Sequence, residues 1–180
     1  MASPFRSPAS LSRFLFVAGA GLALDLWTKW LAFRTLAIAV VQANDGWFHV
    51  YGREPYRLIP GWLEFEVTTN QGAVFGQLQG QRILFLVMSV AATCFLFWLF
   101  SNSSNQRFYQ ILLGVLLAGV LGNLYDRLML GYVRDMIHAL PLWPHFFPWI
   151  FNVADSLLCI GVGLMVLYNF FHKPNAEHAK

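Results

Sequence analysis

The sequence predicts an all-α membrane protein of four transmembrane helices, with a small β-sheet in the connection between the first and second. Composition is the first reason. Of 180 residues, 57% are hydrophobic and 12% are charged, whereas a soluble domain carries about 25% charged residues. The second is the placement of the charges, which leaves three long stretches uncharged, each close to the ~20 residues that cross a bilayer core. The third is one run of alternating polarity ahead of them. These observations exclude a disordered chain and argue against a soluble enzyme. The length fits a single domain, residues 1–180. Seven Trp and seventeen Phe suit contact with membrane lipid and its interfaces. The 12 Lys and Arg form no basic run, so nucleic acid is not an expected partner. Cys94 and Cys159 lie in apolar stretches and read as small buried hydrophobes, not as a disulfide or metal pair.

The first span covers about residues 14–34 and is interrupted by Asp25 and Lys29. Its eleven uncharged residues before Asp25 could form a signal-peptide core. That reading fails because no small-x-small site leads into a soluble domain, and the apolar pattern resumes at Trp30, Leu31 and Phe33. A surface β-element is expected over about 44–76. Leu63 to Thr69 alternates apolar and polar residues, the period of a half-buried strand. Trp47 to Tyr51 is a plausible partner, with a turn at Gly52-Arg-Glu-Pro55, and Asn70-Gln-Gly72 bends the chain towards the second span. The second span covers about 82–100 and the third about 108–126, joined by the polar Ser101–Gln106 loop. The fourth covers about 149–171, and Lys173–Lys180 reads as a mobile tail.

Four spans put both termini on one side and the two long connections on the other. Arg and Lys are spread over both sides, so the positive-inside rule does not decide the orientation. The topology alone gathers Asp25, Asp126, Asp135 and Asp155 at one membrane face. A charged Asp at mid-bilayer costs about 2.5–3.5 kcal/mol on insertion scales, so four near one interface point to a polar cavity. Gly119, Asn123 and Asp126 share one stripe of the third span, and Asn152, Asp155, Ser156 and Cys159 a similar stripe of the fourth. Gly114, Ala118 and Gly122 would let another helix approach closely.

Plainer roles exist for each group. Asp25 and Lys29 could be a local ion pair. Asn152 and Asp155 could cap a helix. Asp126 opposes the dipole at a helix C-terminus and wants a cation, either Lys29 or Arg127. Neither zinc-ligand spacing nor a nucleophilic-serine context occurs. An alternative of another class is a small proton-coupled transporter or channel subunit. It needs polar residues at several depths, and the second and fourth spans have few at their centres.

Five motifs then carry a resemblance: Asp25-Leu-Trp-Thr-Lys29, Asn70-Gln-Gly-Ala-Val-Phe-Gly76, Gly119-Val-Leu-Gly-Asn-Leu-Tyr-Asp-Arg127, Val133-Arg-Asp135 and Phe151-Asn-Val-Ala-Asp155. In this order the chain resembles signal peptidase II, the bacterial lipoprotein signal peptidases, over about residues 14–171. The resemblance implies an aspartyl endopeptidase of the inner membrane with cytoplasmic termini, and a sheet and active site near the extracytoplasmic face. The implied partner is a prolipoprotein bearing diacylglycerol on its lipobox Cys, cut just before that residue. It implies Asp135 and Asp155 as the catalytic pair, supported by Asp25, Lys29, Asn70, Gly119, Asn123, Asp126, Arg127 and Asn152. Neither metal nor cofactor is expected, and a monomer is. The chain departs from the family pattern at Arg134, where Val is usual, at Val74 and at Ala118. It is also longer between Asp25 and Asn70, with the extra residues around Asn44–Pro60.

Overall fold

A computed structural model of the chain describes residues 7–72, 80–104, 106–143 and 145–171. The elements run α1 (Pro8–Leu36), β1 (Ala37–Gln42), β2 (Phe48–Gly52), β3 (Tyr56–Ile59), β4 (Leu63–Asn70), α2 (Arg82–Ser101), α3 (Arg107–Met129), β5 (Val133–Ala139), β6 (Ile150–Phe151) and α4 (Val153–Phe171). Among the described residues there are four helices, each long and apolar enough to cross a membrane. The expected tail Lys173–Lys180 and Val74 lie outside the described residues.

The first helix begins earlier than its apolar run. Ser7 is its N-cap, accepting from the Ser10 N–H, and Pro8 takes the first helical position, where a missing N–H costs nothing. Its 29 residues are about 44 Å long, more than the ~30 Å hydrocarbon core. The central helix is α3: 56% of its most apolar stretch is buried, against 22, 17 and 11% for α1, α2 and α4. Glycines make that position possible. A Cβ at Gly114 would lie 2.9 Å from the Phe14 carbonyl oxygen, and one at Gly119 2.7 Å from that of Ala154. A Cβ on Gly122 would collide with the Asp25 carboxylate. At the terminal end, Phe14 stacks on Phe100 at 4.3 Å between ring centroids, in a core with Leu113 and Leu117. Buried Gln110 accepts from Arg13 and donates to Ser103 Oγ at 3.1 Å, closing that end.

The β-structure departs from expectation in extent and membership, and all-α is too narrow a description. Two sheets form. The first is the antiparallel hairpin β1–β2, which pairs Val40 with Val50 and begins directly after α1. The second has order β3-β4-β5-β6, antiparallel throughout. Of the expected strand Trp47–Tyr51, Phe48–Tyr51 lies in β2, whose partner is β1 and not the Leu63–Thr69 strand, and Trp47 precedes it. The two sheets still touch, through the Thr69 hydroxyl donating to the Phe48 carbonyl at 2.6 Å. The second sheet also draws β5 and β6 from the connection between α3 and α4. Periodicity concealed β5 because Val133, Asp135 and the neighbouring Met136 are all buried, so its sequence does not alternate. The fourth span starts at Val153 instead of 149, because Ile150 and Phe151 pair with β5. Cys94 and Cys159 are exposed on the outward surfaces of α2 and α4, not buried. An apolar stretch in a membrane helix turns outward to lipid as readily as inward.

Candidate active site

Five segments, α1, α3, β4, β5 and the start of α4, meet at the end of the bundle under the four-stranded sheet. The α4 helix opens with a reciprocal capping box. Asn152 Oδ1 accepts from the Asp155 N–H at 2.9 Å, and the Asp155 carboxylate accepts from the Asn152 N–H at 3.3 Å. A second carboxylate reinforces this helix start. Asp25 Oδ1, from α1, accepts from the Ala154 N–H at 2.8 Å, where the helix dipole favours negative charge. The plain capping role of Asn152 is thus real, and it occupies only part of the residue. Its side-chain amide donates to Asp135 Oδ1 at 2.6 Å and to Asn123 Oδ1 at 3.2 Å.

Asp135 arrives from β5. Its position is set by the antiparallel register with β4, which pairs it with Thr68 and pairs Val133 with Asn70. Asn70 Nδ2 donates to Asp135 Oδ2 at 3.0 Å, and Asn70 Oδ1 accepts from the Gly72 N–H at 2.9 Å. Asp155 Oδ1 accepts from Asn123 Nδ2 at 2.8 Å. Each carboxylate therefore has an amide donor on either oxygen. Asp135 is 1% exposed. Burial, and next the charge of Asp155, push its carboxyl up to about 7, while the amides of Asn70 and Asn152 and the charge of Lys29 pull the other way.

Beneath the pair lies a buried charge cluster. Lys29 Nζ sits 2.8 Å from Asp25 Oδ2, 3.0 Å from Asn123 Oδ1 and 3.4 Å from Asp126 Oδ2, and all three ionic side chains are fully buried. The local Asp25–Lys29 pair and a role in the site are thus one arrangement. Asp126 does not touch Asp135 or Asp155. Its nearest cation is Arg134, at 2.7 Å, which sequence reasoning did not consider as its partner. The signal was available: a carboxylate in the last turn of α3 needs a cation, and Arg134 lies one short turn further on. Arg127 Nη2 donates to the Gly72 carbonyl at 2.8 Å, and its guanidinium lies 5.0 Å over the Phe85 ring. It frames the approach to the site without touching either carboxylate. Gly119 makes no polar contribution; it lets the first turn of α4 lie against α3.

Asp155 and Asn70 line two cavities. One, of about 240 Å³, opens between α2, α3 and α4 past Phe85, Asn123 and Arg127. The other, about 350 Å³, runs along α4 and β6 past Phe147, Trp149 and Ser156. Asp155 thus stands at the junction of two largely apolar grooves, while the buried Asp135 lines neither.

Residues 17–171 match the family described as Signal peptidase (SPase) II. The chain belongs to the signal peptidase II family. It is 33% identical over 168 residues to the lipoprotein signal peptidase of Halalkalibacterium halodurans, covering 93% of this chain and 97% of that one. The lipoprotein signal peptidase of Neisseria meningitidis serogroup B is 31% identical, with 95 and 96% covered. A bacterial membrane enzyme solved in meso at 2.3 Å superposes with a TM-score of 0.74 at 26% identity over 93% of each chain. A second, at 1.9 Å, gives 0.72 at 27% identity over 89% of this chain and 94% of that one. Signal peptidase II membership makes the chain a peptidase and a bacterial membrane protein. It gives no support to a transporter or channel subunit.

Proposed function

We propose that this chain is an aspartyl endopeptidase that removes signal peptides from lipoprotein precursors carrying diacylglycerol on their Cys, cutting just before that residue. One observation carries the assignment of the site. Asn152 is hydrogen-bonded to both carboxylates, through its side chain to Asp135 and through its backbone N–H to Asp155. A buried carboxylate and a half-buried one held this way cannot both ionise cheaply, so the pair shares one proton. The ionised member takes a proton from water, which attacks the scissile carbonyl. The protonated member polarises that carbonyl and then helps protonate the leaving amine. The pair titrates as a unit, and either Asp can begin as base. The scheme uses neither metal nor cofactor. Asn123, Asn152 and Asn70 orient the carboxylates, and Arg127 holds the Asn70–Gly72 bend. The signal peptide and the acyl chains occupy the grooves that meet at Asp155, in contact with bilayer lipid. In this reading the protein is a single-domain monomer. Its termini are cytoplasmic, and its sheets and site lie at the extracytoplasmic face of the inner membrane.

The test is cleavage of a lipid-modified precursor by purified protein in detergent. Wild type is expected to release a fragment whose N-terminal residue is the modified Cys, and to leave the unmodified precursor intact. Cleavage at another residue, or retained turnover in folded Asp135→Asn, would overturn the proposal.

A further inference from the structure

Arg134 stands beside Asp135 in β5, but its side chain belongs to another carboxylate. Nη2 lies 2.7 Å from Asp126 Oδ1, Nε lies 3.2 Å from both oxygens, and the Arg134 N–H donates to Oδ2 at 3.0 Å. The Arg134 side chain is 13% exposed and that of Asp126 fully buried. This clamp spans the turn from α3 to β5, where Gly131 takes a φ of +87°. The clamp also completes a charge balance. The buried and half-buried charged groups around the pair are Asp25 and Lys29 from α1, Asp126 and Arg127 from α3, Arg134 from β5, and the pair itself, Asp135 and Asp155; the exposed Arg82 of α2 donates to the Arg127 and Leu128 carbonyls, and the buried, neutral Tyr132 interacts with Arg134 and Asp126. Glu66 and His138 face one another further along β4 and β5, at 3.2 Å. Asp25 and Asp126 are matched by Lys29 and Arg134. Arg127 is left to balance one negative charge, the charge of a pair that shares a single proton. Without Arg134 the cluster, whose Asp25, Lys29, Asp126 and Asp135 are buried, would carry a surplus negative charge, and an uncompensated buried charge is costly.

We propose that Arg134 is a positioning residue that acts through Asp126 to keep this cluster neutral when the catalytic pair is singly protonated, and so sets the acidic limit of activity. The inference rests on Asp135 and Asp155 being that pair.

The experiment is the pH dependence of kcat for the purified full chain in detergent with a lipid-modified precursor. Arg134→Gln removes a positive charge, which makes ionising the pair harder. Its acidic limb should move up by about one pH unit, with KM unchanged. Asp126→Asn removes a negative charge, so its limb should move down. The double variant should return to the wild-type limb, and Arg134→Lys should keep it. A purely structural Arg134 would lower the yield of folded enzyme without moving any limb. An unmoved limb in Arg134→Gln, or movement in the same direction for both single variants, overturns the proposal. If Arg134→Gln gives no folded protein, Asp126→Asn decides, since a limb that stays or rises overturns it. Turnover by Asp135→Asn or Asp155→Asn in the same assay would instead refute the assignment of the pair, independently of Arg134.

Discussion

Asp135 and Asp155 reach the same asparagine from different elements, and their behaviour under substitution should reveal that shared contact. Asp→Asn keeps size and an acceptor oxygen while removing the titrating group. Asp135→Asn and Asp155→Asn should each abolish turnover in folded protein, and the double variant should be no worse than either, because residues that act as one unit are not additive. Assay of the three purified variants with a lipid-modified precursor checks this. A stability effect follows from burial. The Asp135 carboxyl is raised from 3.8 to about 7, so between those values the folded chain binds a proton that the unfolded chain has lost. Stability therefore falls as pH rises through that window, and the cost is complete above about 7. Asn carries no such cost. Asp135→Asn should accordingly melt above wild type at pH 8, with the difference shrinking towards pH 4, as thermal unfolding across that range would measure. Residue types and spacing were enough to bring four aspartates to one face. They did not distinguish Asp135 from Asp126, because that choice depends on the β4–β5 register, which a sequence without clean alternation does not display.

At the scale of the element, α3 depends on residues that lack side chains. Gly119 brings it against the first turn of α4, with the Ala154 carbonyl 2.7 Å from where a Cβ would stand. Backbone cannot yield as a flexible side chain can. Gly119→Val should therefore lower stability by about 1–3 kcal/mol and reduce turnover by displacing Asp155. Gly19 on α1 has nothing within 4 Å of a built Cβ, and Gly19→Ala should be neutral or stabilising by up to ~1 kcal/mol. Melting temperatures in one detergent, measured beside the activity of both variants, test the contrast. The small-residue spacing of α3 was legible from sequence, since four-residue spacing lies on one helix face. The true start of α4 was not. Trp149 to Phe151 is as apolar as the span that follows, and only pairing with β5 removes it from the helix.

The whole molecule has a polar junction at one end and an aromatic core at the other. In the proposed orientation the β1–β2 turn faces outward and the α2–α3 loop faces the cytoplasm. Cys94 and Cys159 are exposed and would first be replaced by Ala. A cysteine then introduced at exposed Asn44 should react with an impermeant thiol reagent in spheroplasts, while one at exposed Asn102 should react only after lysis. The opposite pattern would invert the topology. Span number and connection lengths were readable because hydropathy is a property of composition. The partition of strands into two sheets was not, because strands from both long connections meet only once the bundle has closed.

The capping box at the head of α4 has a consequence for descent. Asn152 and Asp155 start a helix and also hold the proposed chemistry, so a lineage that abandoned proteolysis could not discard both without fraying that helix. Capping asks only for a side-chain acceptor at the first position and an acidic or amide side chain three residues later, and Ser with Glu would satisfy it. A retired descendant of this scaffold would therefore betray itself by which pair it carries, since some pair must remain.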